Sequence, residues 1–263
     1  PEKRAHLTPL IGWAAFAVVF VGAAVAWLAL DPGFRGVFQE PAVAEFPRDE
    51  FERRVRAYLL SNPEIIVEAM QSLEARRRMT EQSEAQAVLA ARADEVFRDD
   101  ASPVGGNPQG DVTMVEFFDY NCPYCRRVAP VMAEAEAADR QLRIVYKEFP
   151  ILGPDSVFAA RAALAAHRQE RYVAFHQALM QVRGAVNEEA VLAAAAQVGI
   201  DIKRLKTDMQ DAAIQAAIDR NLALAGALRI NGTPGFVIGS EILRGATDLK
   251  TLQALIRGAR EAR

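Results

Sequence analysis

The chain has 263 residues, 51% of them hydrophobic, ample for one packed catalytic domain with attachments. A formal net charge of −3 gives no basic surface and argues against nucleic-acid binding. Two cysteines, with three histidines remote from them in sequence, are too few for a tetrahedral zinc site within one chain, so no metal and no cofactor is expected.

Residues 1–9 include Lys3, Arg4 and His6, and Leu10 to Leu30 follow without a charge. At 1.5 Å per residue such a stretch crosses a hydrocarbon layer of ~30 Å. Trp13 and Trp27 stand near its ends, and Asp31 follows it. Residues 10–30 are therefore expected to be a single-pass signal anchor in the inner membrane, with residues 1–9 cytoplasmic and the rest in the periplasm. The alternative is a signal peptide cleaved near Ala24-Val25-Ala26, releasing a soluble periplasmic protein. Either way the cysteines reach an oxidising compartment.

Residues 31–47 hold three prolines and two glycines and read as a linker. Residues 48–100 are helical in pattern. Phe51, Val55, Tyr58 and Leu59 form one apolar stripe, Ser61-Asn62-Pro63-Glu64 a stop and restart, and Ile66, Met70 and Leu73 a second stripe. The helix beyond is polar. These stripes must be buried either on the catalytic domain or on copies of themselves.

Residues 101–263 are the expected catalytic domain, entered through a turn-rich boundary. Val112 to Phe118 reads as a buried strand interrupted by Glu116. Asp119-Tyr120-Asn121 turns the chain into Cys122-Pro123-Tyr124-Cys125, and helical spacing follows from Arg126. Cys122 thus falls at a helix N-terminus, which favours a negative thiolate, and thiolates attack disulfides. Pro123 suits the first helical position. Cys125, one turn in, is placed to resolve a mixed disulfide. Leu142 to Phe149 reads as a second strand, about 154–228 as a helical insertion with Asn187 as an N-cap, and Pro234 to Ile238 with Ile242-Leu243 as a hairpin. Asp248 caps a last helix.

The run Val-Glu-Phe-Phe-Asp-Tyr-Asn-Cys-Pro-Tyr-Cys, together with Gly232-Thr233-Pro234-Gly235, resembles bacterial DsbA-like thiol-disulfide oxidoreductases of the thioredoxin superfamily. The extension before residue 100 is similar to that of the ScsC/Com1-like subgroup. The resemblance implies an α/β thioredoxin-like fold with a helical insertion, behind a transmembrane helix and a helical stalk. It also implies a cis bond before Pro234 that presents the Thr233 backbone to an extended client, and an oligomerisation stalk that makes a trimer. Cys122, Cys125, Thr233, Pro234 and Glu116 then carry catalysis, Glu116 as an acid near Cys125 that can take its proton. Pro123, Tyr124 and Thr233 meet the substrate. Read without the resemblance, Thr233-Pro234 is a turn before a strand and Glu116 a strand-end carboxylate. Lys147 is a candidate partner for Glu116. Prototypical DsbA sequences carry His where Tyr124 stands, and oxidases of the family often place Val where Thr233 stands. Thr233 is closer to the isomerase pattern.

The expected function is a periplasmic oxidoreductase, working as an oligomeric disulfide isomerase on unfolded or misfolded secreted proteins and reset by a membrane redox partner. The alternatives are a dithiol oxidase, and a membrane-anchored holdase whose disulfide is static.

Overall fold

A computed structural model describes residues 47–262. The cytoplasmic segment, the signal anchor and all but the last residue of the linker expected from the sequence lie outside the described residues. Among those described, no helix is long and apolar enough to cross a membrane. The chain divides into two units, up to Met70 and from Gln71.

In the first unit, α1 (Arg48–Ser61) opens with Asp49 and Glu50, whose charge suits a helix N-terminus. It ends at Asn62, whose Nδ2 donates to Tyr58 O at 2.9 Å. Pro63 then starts α2 (Glu64–Ala91). No residue of α1 is buried, and Phe51, Tyr58, Leu60, Val67 and Met70 are all more than half exposed.

The second unit takes in the rest of α2, then α3 (Ala93–Phe97), β1 (Val104–Gly106) and β2 (Val112–Phe118). Next come α4 (Pro123–Ala138), β3 (Leu142–Glu148) and the insertion, made of α5 (Pro154–His167), α6 (Tyr172–Met180), α7 (Glu188–Gln197), α8 (Ile202–Asp208) and α9 (Ala212–Ala227). It closes with β4 (Gly235–Ile238), β5 (Glu241–Arg244) and α10 (Leu249–Glu261). The sheet order is β1-β3-β2-β4-β5. Only β2 and β3 are parallel, joined through α4 as a parallel pair requires. This is the expected thioredoxin-like sheet with a helical insertion.

Side chains alternate across β2 and β3. Met114, Phe118, Leu142, Ile144 and Tyr146 pack with α4, α10 and the insertion, while Val115, Phe117 and Val145 face the other way. Leu89 and Val96 join that second core. The extension expected to end at residue 100 as a separate stalk therefore merges with the domain earlier. Leu89 and Val96 are buried because this face of the central strands is apolar and needs a cover, and Ala85 is already buried one turn earlier.

The same alternation corrects the expected Glu116–Lys147 pair. Glu116 stands opposite Tyr146, so Lys147 points to the other face. There its Nζ donates to Glu95 O at 2.7 Å and to Asp99 Oδ2 at 3.0 Å. Burial pulls the Lys147 ammonium below its ordinary range, against the opposing pull of Asp99.

Candidate active site

The loop after β2 is folded by Asp119. Its Oδ1 accepts from Asn121 N at 2.8 Å and Ser156 Oγ at 2.7 Å, and its Oδ2 from the backbone N–H groups of Ile151 and Leu152 at 2.9 and 3.0 Å. Its carbonyl accepts from Cys122 N at 3.1 Å. One buried carboxylate thus fixes the turn before the cysteines and the loop after β3 together. Asn121 ties in the insertion, accepting from Val186 N at 2.8 Å. Arg126 adds a second tie through Tyr120 O at 2.8 Å and Gly184 O at 2.7 Å.

Cys122 is the N-cap of α4, with Pro123 in its first turn. Both thiols are free and buried. Cys122 Sγ donates to Thr233 O at 3.3 Å, and the Thr233–Pro234 bond is cis. Gly235 must be glycine, since a Cβ there would come within 2.5 Å of Ile230 Cγ2. Tyr124 is 52% exposed with Arg127 stacked 4.9 Å over its ring, and Ile151 and Leu152 are also exposed. Cys125 is fully buried, and burial, followed by the nearby Glu116 charge, pushes its thiol up. The fold therefore brings Cys122, Cys125, Thr233, Pro234 and Glu116 into one region, with Pro123 and Tyr124 at its surface.

Glu116 is 2% exposed, and among the described residues no hydrogen bond reaches its carboxyl. Burial raises it to about 8. An acid whose folded value is raised stabilises the fold at low pH and loses that contribution as pH climbs from the unfolded value, about 4.3, to the folded one. His176, lowered to about 3 by burial, works only below about pH 6.5, where an unfolded chain would protonate it. Between about pH 6.5 and 8 the native dithiol form should lose about 2 kcal/mol of unfolding free energy that Glu116→Gln keeps. Urea unfolding at both pH values measures this, and parallel pH profiles for the two proteins would refute it.

A second buried cluster was not read from the sequence. Tyr120 and Tyr172 both donate to Glu148 Oε1, at 3.0 and 2.6 Å, and His176 Nδ1 lies 3.3 Å from the Tyr120 hydroxyl. Burial pushes the Glu148 carboxyl well up, offset in part by the two tyrosine hydroxyls. The cluster joins the catalytic loop to β3 and α6. No short-range pattern marks it, because its partners lie 24 to 56 residues apart. Among the described residues no group of three or more His, Cys, Asp or Glu could hold a metal ion.

Residues 113–257 match the family described as DSBA-like thioredoxin domain, and residues 48–78 match the copper resistance protein ScsC N-terminal domain. A thioredoxin-like oxidoreductase from Silicibacter pomeroyi is 49% identical with a TM-score of 0.64, covering 65% of this chain and 98% of its own. Proteus mirabilis ScsC in a transitional conformation is 31% identical with a TM-score of 0.63, covering 82% and 95%. Among curated proteins, the Na(+)/H(+) antiporter NhaA of Herminiimonas arsenicoxydans is 28% identical over 158 residues, 60% of this chain. The chain spans about 25% of the length of that relative.

Proposed function

This chain belongs to the family of DSBA-like thioredoxin domains, and on that premise we propose that it is a thiol-disulfide oxidoreductase acting on secreted proteins through Cys122 and Cys125, as an oligomeric disulfide isomerase. The observation that carries the reading is the pairing of a helix-capping Cys122, 3.3 Å from Thr233 O, with a free Cys125 inside the same helical turn.

The Cys122 thiolate attacks one sulfur of a client disulfide. A Cys122–client bond forms, the client S–S bond breaks, and the client's other sulfur leaves as a thiolate. An extended client adds beside Thr233 like a strand, and its N–H takes over the Thr233 carbonyl that Cys122 now uses. Pro123 and Tyr124 lie under the bound segment. From the mixed disulfide, a second client thiol attacks the client sulfur, frees Cys122 and completes isomerisation. Alternatively Cys125, its proton passed to Glu116, attacks Cys122 and leaves a reduced client. With Glu116 raised to about 8, only its ionised minority takes the proton near neutral pH, so this branch quickens as pH rises towards that value.

Self-association is supported by the exposed apolar residues of α1 and the start of α2, and by the ScsC N-terminal match over 48–78. A trimer, a periplasmic location, anchoring through residues 10–30 and a membrane redox partner complete the proposal. Insulin reduction tests the chemistry. The native chain should precipitate insulin B chains and the Cys122→Ala/Cys125→Ala variant should not; equal rates would leave the holdase reading instead.

A further inference from the structure

Behind the cysteines lies a cavity of about 370 Å³ between α4 and α6, floored by β2 and β3. Glu116 and Tyr146 line it from the sheet, Met132 and Glu136 from α4, and His176 and Met180 from α6. We propose that this cavity is a binding site for a small organic cation with an apolar body, an amine or amidine whose charge rests on Glu116.

Three observations carry this. First, Glu116 is 2% exposed, lines the cavity and, among the described residues, has no hydrogen-bonded partner. Its carboxyl opens onto the cavity with no protein donor beside it, and a charged N–H donor seated there supplies that hydrogen bond and favours the carboxylate. Second, the cations nearest to hand are engaged elsewhere. Lys147 lies on the opposite face of the sheet with Asp99, and Arg126, which also lines the cavity, turns Nε and Nη1 to the carbonyls of Tyr120, Val182 and Gly184 and makes no hydrogen bond to Glu116. Third, the walls suit a cation. Tyr146 brings an aromatic side chain, Met132 and Met180 polarisable thioethers, and Glu136 a second acid. After burial, Glu116 and Glu136 are what push the Tyr146 phenol up, so both carboxyls act on the same wall. His176 is held neutral by burial and does not repel a cation. An anion would face Glu136 and oppose ionisation of Glu116, and a neutral ligand would form no ion pair with the Glu116 carboxylate.

The other groups facing Glu116 are Cys125 on α4 and Glu148 on β3, with which it interacts electrostatically. Since Glu116 keeps its proton to about 8, capture of an ammonium near pH 7 leaves a Glu116 carboxylate–ammonium pair and releases that proton to solvent. Binding therefore tightens as pH rises towards that value. On the thiol-exchange reading above, an occupied cavity also leaves Glu116 paired and unable to take the Cys125 proton. Binding itself does not require thiol exchange, so its failure and the failure of that reading are separable.

Benzylammonium and its neutral counterpart benzyl alcohol serve as probes, titrated by calorimetry into the full chain and into Glu116→Gln, in two buffers of different ionisation enthalpy. The expected result is release of about one proton per benzylammonium near pH 7, with affinity at least about tenfold lower for benzyl alcohol and for the variant. The methyl resonances of Met132 and Met180 should shift with saturation. Equal affinity for the alcohol, binding without proton release, unchanged affinity in the variant, or no saturable shift of those methyls would each overturn the site. If Glu116→Gln does not fold, the proton count and methyl shifts of the native chain decide.

Discussion

Replacing Cys122 with serine is expected to lower disulfide exchange by at least about a thousandfold, because a hydroxyl does not supply the thiolate nucleophile. Replacing Cys125 is expected to do something different. Cys125→Ser keeps the attacking thiol and removes the group that resolves the adduct, so mixed disulfides with clients should accumulate on Cys122. The positions support this division, since Cys122 caps the helix and keeps 3% of its surface exposed, whereas Cys125, one turn in, exposes none. Exposure of each variant to a peptide with a single disulfide, followed by non-reducing mass spectrometry, reads the difference. An adduct on Cys125 in the Cys122→Ser protein, or none on Cys122 in the Cys125→Ser protein, would reverse the assignment.

A chain starting at residue 74 is expected to be monomeric and to lose isomerisation of scrambled substrate, while keeping oxidation of dithiols. The comparison is with a chain starting at residue 47, which retains α1 and the start of α2. The residues removed include Phe51, Tyr58, Val67, Met70 and Leu73, all exposed. Once they bring copies together, a client held on one Cys122 meets neighbouring sites at an effective concentration set by the length and stiffness of α2, which runs from the apolar residues towards the domain. Repeated attack without release corrects wrong disulfides, whereas one site that releases its client only donates or removes a bridge. The position of the cut matters. Arg229 Nη2 pairs with Glu84 at 2.8 Å, Leu89 and Val96 are buried, and Asp99 holds Lys147. A cut after residue 100 would expose the second core and leave a buried ammonium without its carboxylate, at a cost of about 3–5 kcal/mol. Light scattering and refolding of scrambled ribonuclease compare the two longer chains. If the chain from residue 47 is itself monomeric, or the chain from 74 unscrambles as well, the extension does not confer isomerisation and the oxidase reading stands.

Much of the catalytic domain was legible because its signals are local. The run Val112–Phe118 is a strand by composition, and Cys122-Pro123 falls at a helix start because proline tolerates that place. Asn187 and Asp248 cap their helices through bonds only three residues long, to Ala190 N and Thr251 N. The partners of the extension's end, of Lys147 and of the Tyr120–Glu148–His176 cluster were not legible, because the groups that meet are 24 to 145 residues apart. Alternation along β2 and β3 decided which face each residue takes, and so sent Lys147 to Asp99 and left Glu116 over the cavity. By itself, then, the sequence determined the strand, the cysteine pair and the helix that presents it, through backbone preferences that act over a few residues. Only the tertiary structure decided what surrounds Glu116 and where the extension joins the core, since burial and pairing depend on which distant segments pack together.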